Sequence, residues 1–172
     1  EGWGYNGNNI ATAPTGLTNV VSVAAGDWSY CSLALKNDGT LVDWGNTSPT
    51  NPPAGLTNIV AISVGNDHSL ALRNDGTVVG WGYNYAGKAT PPAGLSNVIA
   101  IAAGSSHSLA LKNDGTVVGW GNTYPNSTPA PPDGTTNIIA IAAGAGFSMA
   151  LRKDGTMFAW GDNYYGQVNW YH

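Results

Sequence analysis

Two histidines, His68 and His107, stand 39 residues apart in matching surroundings, and each is followed by a serine. Imidazole beside hydroxyl is the material of metal sites and nucleophilic catalysis. A metal needs several converging ligands, however, and the matching positions elsewhere hold Cys31 and Phe147, the second of which ligates nothing. The expectation is therefore a packed or hydrogen-bonded position at the start of a strand, with no metal. Ser32, Ser69, Ser108 and Ser148 follow this slot, but nothing outside the repeated pattern supplies a base, an orienting acid and an oxyanion hole. Asp38, Asp75, Asp114 and Asp154 each precede a glycine, with Lys36, Arg73, Lys112 and Arg152 two residues upstream. That pattern reads as turns whose carboxylates bond their own backbone on a rim of alternating sign. The D-x-D-x-D-G spacing of a calcium loop is absent, as is a phosphate-binding glycine loop before a helix. Cys31 is the single cysteine, which excludes a disulfide framework. No cofactor is expected, and no enzyme.

Residues that break the pattern carry more information. Gly26-Asp27-Trp28-Ser29-Tyr30-Cys31-Ser32 is two residues longer than Gly65-Asn66-Asp67-His68-Ser69, which puts Trp28 and Tyr30 in a loop. Tyrosines also follow the Trp-Gly pairs, at Tyr5, Tyr83, Tyr85, Tyr124, Tyr164 and Tyr165. Loop aromatics anchor interfaces because they add large area for little side-chain entropy. Trp28, Tyr30, Tyr83, Tyr85, Tyr124, Tyr164 and Tyr165 are the candidate partner-binding residues; the competing expectation is that they pack over neighbouring structural units. The Trp of each Trp-Gly pair is expected in the core. Asn46-Thr47-Ser48 and Asn126-Ser127-Thr128 are glycan acceptor motifs in the loops after Trp-Gly.

The elements that must position these residues come from a repeat. Trp-Gly recurs at Trp3, Trp44, Trp81, Trp120 and Trp160, at intervals of 41, 37, 39 and 40 residues. Asp-Gly recurs four times, and a glycine ends an apolar run at Gly26, Gly65, Gly104 and Gly144. Each repeat of about 39 residues holds a β-branched run, an alternating segment, an Asp-Gly turn and a second short strand. That makes three clear strands, with a fourth, outer one expected near the Pro-rich connection. No segment shows a sustained helical period. Such a sheet leaves an apolar face it cannot bury alone, and stacking like units around an axis buries it. The expected fold is all-β: a β-propeller array with repeats at about 17–54, 55–93, 94–133 and 134–172, and 1–16 as the tail of a preceding blade.

The run A-A-G-x-x-H-S-L-A-L-x-x-D-G-T-V-x-x-W-G, spelled by Ala102 to Gly121 and nearly again by Val64 to Gly82, resembles the regulator of chromosome condensation repeat. The resemblance covers essentially the whole chain. It implies a propeller, typically seven-bladed, in a family that includes a nuclear nucleotide-exchange factor, ubiquitin-ligase domains, secreted bacterial β-lactamase inhibitors and bacterial surface proteins. The wedge-like insertion of the exchange factors has no counterpart here. Seven blades need roughly 270 residues, so four leave the ring unclosed. The expectation is a piece of a longer propeller, or copies that associate, two sets of four blades making eight.

Composition narrows the partners. Only 9% of residues are charged against 42% hydrophobic, and the net charge is -4. Such weak acidity offers a phosphate backbone nothing to hold, so nucleic acid is not expected. The longest weakly polar stretch, Ile138 to Leu151, is broken by Gly144, Gly146 and Ser148 and falls short of a membrane span. The chain opens at Glu1 without a basic start and an apolar segment, so no signal peptide is expected in it, although a processed one would leave no trace. The leading functional expectation is a nonenzymatic module that binds a protein, with a glycan as the other ligand class. The alternative is a structural unit of an extracellular surface assembly, built by self-association or by the remaining blades of one propeller. A β-lactamase inhibitor is the minor alternative, and a secreted bacterial chain the expected source.

Overall fold

The computed structural model describes residues 7–9, 11–26, 31–45, 51–122 and 129–169. Among these residues twelve short strands form four antiparallel three-stranded sheets. The first holds β1 (Val20–Ala25), β2 (Cys31–Lys36) and β3 (Leu41–Gly45). The second holds β4 (Ile59–Val64), β5 (His68–Arg73) and β6 (Val78–Gly82). The third holds β7 (Val98–Ala103), β8 (His107–Lys112) and β9 (Val117–Gly121). The fourth holds β10 (Ile138–Ala143), β11 (Phe147–Arg152) and β12 (Met157–Gly161). Among the described residues no sheet carries a fourth strand; a 3₁₀ turn at Tyr85–Gly87 stands in the connection where one was expected.

Local chemistry sets each boundary. The hairpins between second and third strands are three-residue loops, closed in the first sheet by Lys36 N–H donating to Thr40 C=O at 2.9 Å. Only the glycine takes positive φ, 77° at Gly39 and 80° at Gly76, a conformation that costs glycine no Cβ clash. Asp38 and its three equivalents keep ordinary φ and accept hydrogen bonds from the threonine two residues on. First strands begin after Asn19, Asn58, Asn97 and Asn137, all at φ of 58–60°, which asparagine tolerates better than most residues. One residue later the register slips in every first strand, leaving Val21, Val60, Ile99 and Ile139 exposed at a bulge.

The core lies between the sheets, not within them. In the middle strand of each sheet, alternate residues turn to opposite faces. Leu70 and Leu72 face the third sheet, where they pack on Val98, Ala103, Ala110 and Trp120. Leu33 and Leu35 meet Ile59, Ala71 and Trp81 in the same way, and Leu109 and Leu111 meet Ile138, Ala150 and Trp160. Burying each leucine fully contributes roughly 1.5–3 kcal/mol. Backbone bonds repeat across the junctions too: Ile59, Val98 and Ile138 N–H donate to Gly39, Gly76 and Gly115 C=O at 3.1–3.2 Å. The first strands of neighbouring sheets approach one another, β1 to β4, β4 to β7 and β7 to β10, so they line the axis of an incomplete propeller.

Candidate functional site

The two ends of the sheets differ. One carries the Asp-Gly turns. There Asp38 and Asp114 are held at a pKa of about 2, first by the Thr40 and Thr116 hydroxyls and then by the same residues' N–H groups and by Lys36 and Lys112. These carboxylates are committed to their turns.

At the other end, the loops after the first strands and those after the third strands are tied together. Tyr83 N–H donates to Asp67 C=O at 2.8 Å, Asn122 N–H to Ser106 C=O at 2.8 Å, and Asp162 N–H to Gly146 C=O at 2.9 Å. The loops ring the axial opening, a cavity of about 210 Å³ lined by Gly65, Asn66, Gly104, Ser105, Gly144 and Ala145 among others. Glycine is required on this wall: a Cβ on Gly65 would collide with the Gly104 carbonyl oxygen, and one on Gly104 would lie 2.5 Å from that of Gly144. These carbonyls accept from Asn66 and Ser105 N–H.

Four candidate tyrosines stand at this end. Tyr83 is 54% exposed, Tyr85 67%, Tyr164 81% and Tyr165 87%. Tyr164 and Tyr165 meet edge to face with ring centroids 4.8 Å apart. Trp28, Tyr30 and Tyr124, and the glycan acceptors Asn46 and Asn126, lie outside the described residues. The exposed rings ride on braced backbone. Tyr164 N–H donates to the Asp162 carboxylate at 3.1 Å and Tyr165 N–H to the Gln167 side chain at 2.8 Å. Asn163 Oδ1 accepts from Val168 N–H at 3.0 Å, and Asn84 Oδ1 from Ala89 N–H at 2.8 Å. The two loops thus share one frame, in which an asparagine three residues past the tryptophan clamps the residue five positions later. Sequence reasoning missed this clamp, although Asn84-Tyr85-Ala86-Gly87 and Asn163-Tyr164-Tyr165-Gly166 are visible as a pair.

The histidine slot is a junction device. His68 and His107 are fully buried, and their Nε2 atoms lie 2.8 Å from Ser108 Oγ and Ser148 Oγ of the following sheet. Ser108 donates its hydroxyl hydrogen to Lys88 C=O at 2.8 Å, so it accepts from His68, whose Nε2 carries the hydrogen. Both Nδ1 atoms are buried without a hydrogen-bond partner. Burial lowers both pKa values to about 4, assisted at His68 by the Lys88 cation. In the fourth sheet Phe147 occupies the slot and faces no described sheet. Among the described residues no three His, Cys, Asp or Glu side chains converge as a metal site would.

Lys88 is the second feature sequence reasoning passed over. It is 4% exposed, and its ammonium pairs with Asp67, donates to Ser105 C=O at 3.1 Å and lies 5.6 Å from the Tyr83 ring centroid. Its carbonyl accepts from Ser108 Oγ and from Trp120 Nε1, both at 2.8 Å. One connection residue thus locks the second sheet to the third beneath the tyrosine surface. The available signal was periodicity: Lys36, Arg73, Lys112 and Arg152 recur with the turns, and Lys88 does not.

A family model described as Regulator of chromosome condensation (RCC1) repeat matches residues 59–88, 98–124 and 138–167. No curated protein sequence matches the chain. Solved structures do. The ectodomain of the receptor kinase CR4 from Physcomitrella patens superposes with a TM-score of 0.70 at 25% identity, over 83% of this chain and 41% of that one. Yeast RCC1 (Prp20), in its complex with Kap60, gives 0.70 at 24% identity over 87% and 45%. Prp20p from Saccharomyces cerevisiae, studied for its binding to Gsp1p and histones, gives 0.65 at 25% identity over 83% and 45%. The chain therefore spans less than half the length of each of these structures.

Proposed function

The chain belongs to the Regulator of chromosome condensation (RCC1) repeat family, and from that premise we propose that it is a nonenzymatic module that binds a protein partner through the tyrosine-bearing end of its sheets. The observation that carries this reading is the Tyr164–Tyr165 pair: two adjacent rings, 81% and 87% exposed, on a loop whose backbone is already fixed by Asp162, Asn163 and Gln167. Exposing two large rings costs solvation that a monomer recovers nowhere. A preformed loop also removes much of the ordering entropy that association otherwise costs. Among similar structures, Prp20 binds Kap60 and is studied with Gsp1p and histones, so the fold serves protein recognition elsewhere. With a net charge of -4 spread over ten acids and six bases, rings and amides rather than a charged field carry recognition here.

The test replaces Tyr164 and Tyr165 with alanine and compares the proteins retained by wild-type and variant chains. Because the rings are solvent-exposed, the melting temperature stays unchanged while affinity for the retained partner falls at least tenfold. Equal retention by the variant, or a lowered melting temperature, rejects the reading.

A second reading, self-association, is favoured by the outward face of the fourth sheet. Phe147, Met149 and Leu151 are only half-buried where the equivalent residues of the other sheets are fully buried, and Met157 is exposed. Gly155 has nothing packed against it, whereas Gly39, Gly76 and Gly115 meet the asparagine of the next sheet. The occupant we propose is the first sheet of a second copy, whose Val23 is 70% exposed where the equivalent Ile62, Ile101 and Ile141 pack on the preceding sheet.

A further inference from the structure

The chain has two methionines, and both stand on the outward face of the fourth sheet. Across β11 and β12, Leu151 pairs with Met157 and Met149 with Ala159. Directly paired residues share a face, as do residues two apart on one strand, so Met149, Leu151 and Met157 form one patch. In the three sheets that another sheet follows, the position of Met149 holds Leu33, Leu70 and Leu109, all fully buried. The position of Met157 holds Leu41, Val78 and Val117, which pack into the clusters between sheets. Branched aliphatic side chains thus fill both positions at every closed junction, and thioethers stand there only where no described sheet follows.

The exchange changes two properties of the face. Methionine is unbranched and adapts to a surface that is met and left, where leucine suits a fixed fit. Methionine is also the side chain of this set that peroxide converts. Met157 is 45% exposed and Met149 half-buried, so a molecule as small as hydrogen peroxide reaches the patch while the face is bare. The thioether sulfur attacks one peroxide oxygen and the O–O bond breaks. The transferred oxygen becomes the sulfoxide, its hydrogen joins the departing hydroxide as water, and the two electrons that sulfur loses reduce the peroxide. The product carries a strong acceptor oxygen where the closed junctions present only hydrocarbon. Burying that oxygen against an apolar surface such as the one around Val23 costs more than leaving it in water. Cys31, the chain's other sulfur, is 2% exposed and out of such reach.

We propose that Met149 and Met157 form a reversible oxidation site for peroxide, and that their sulfoxides release a second copy of the chain from the fourth sheet. The consequence rests on the self-association reading above; the chemistry rests on the two side chains alone.

The test takes the full chain untreated, treated with hydrogen peroxide, and treated and then returned by methionine sulfoxide reductases of both epimer specificities with a thiol reductant. Peptide mass mapping locates the added oxygen, and sedimentation velocity over a concentration series reads association. Both methionines gain one oxygen each, Met157 first and Met149 more slowly in concentrated than in dilute protein, where the face is uncovered. Oxidation raises the dissociation constant by about tenfold or more, and the reductases restore it. Met149→Leu/Met157→Leu, which copies the closed junctions and keeps Cys31 and every aromatic ring, associates equally with and without peroxide. An untreated chain that stays monomeric rejects the self-association reading, and this regulation with it. An untreated chain that associates, while the doubly oxidised chain associates equally well, rejects this inference alone. So does a leucine variant that peroxide dissociates like the wild type, or a pair of methionines that peroxide leaves unmodified.

Discussion

His68 and His107 show how one side chain joins two sheets and makes the joint sensitive to acid. His68 gives its Nε2 hydrogen to Ser108 of the next sheet, His107 Nε2 shares a hydrogen bond with Ser148, and both rings leave Nδ1 buried without a hydrogen-bond partner. Around His68 lie Asp67, at 3.9 Å from Nδ1, the Lys88 cation and His107. Protonation would place a charge where burial disfavours it, and the folded-state pKa accordingly lies near 4 against an ordinary 6.5. Above pH 6.5 both rings are neutral whether the chain is folded or not, and their full contribution to stability is present. Between 6.5 and about 4 the unfolded chain takes up protons that the folded chain refuses, so stability falls as pH falls through that window. The expected loss is roughly 1–3 kcal/mol per histidine. Asp38 and Asp114, held at about 2 against an ordinary 3.8, act only lower, their contribution being lost as pH drops from 3.8 towards 2. Urea denaturation at a series of pH values therefore shows two separate declines. His68→Gln/His107→Gln is less stable at neutral pH and flattens only the upper decline; a variant that keeps both would refute the assignment.

The element most dependent on its exact residue is the third strand under its connection. At Gly119 a methyl group meets the Pro129 carbonyl and the backbone of Pro129 and Ala130 behind it, so neither partner is a flexible side chain able to swing away. Gly119→Ala is expected to cost about 1–3 kcal/mol, the range for overpacking, read as a lowered urea midpoint with unchanged slope. What the sequence disclosed about elements divides along the same line. Strands, turns and sheet faces were legible because alternation, Asp-Gly and β-branched runs act within ten residues of themselves. The role of Lys88 was not, because it depends on chain segments that meet only when sheets pack. Lys88 finds Asp67 from 21 positions away and Trp120 from 32, and no local pattern encodes either meeting. In the connection after the second sheet, which is described throughout, the expected fourth strand does not form, for a related reason. The connection satisfies its backbone through the Asn84 clamp and carries the Lys88 carbonyl to Ser108 and Trp120, which leaves it no ladder to join.

At the scale of the molecule, each junction is built from the same parts: leucines from one sheet, an isoleucine or valine, an alanine and a tryptophan from the next, a turn-glycine carbonyl meeting a first-strand N–H, and, at the two later junctions, a loop N–H meeting a glycine carbonyl. The fourth sheet presents the giving half of that set. Phe147, Met149 and Leu151 lie where His68, Leu70 and Leu72 or His107, Leu109 and Leu111 are buried, and Met157 is exposed where Val117 is buried. The exchange of histidine for phenylalanine matters, since a docking sheet would be held here by apolar contact without the buried histidine–serine bond, and so without its acid sensitivity. Such a contact is head to tail, and head-to-tail contacts close into rings or run on as filaments according to the rotation per copy. Sedimentation velocity over a concentration series is expected to show the 172-residue chain as a dimer or larger species at micromolar concentration, dissociating on dilution. Met149→Lys should convert it to a monomer without a loss of melting temperature measured on the dilute protein, because Met149 packs on no other described sheet. The Val23→Lys variant, acting on the proposed opposite half, should do the same, and mixing the two variants should restore one wild-type junction and hence a dimer that cannot grow further. A wild-type chain that stays monomeric at high micromolar concentration, or a mixture that fails to pair, would refute association through these faces.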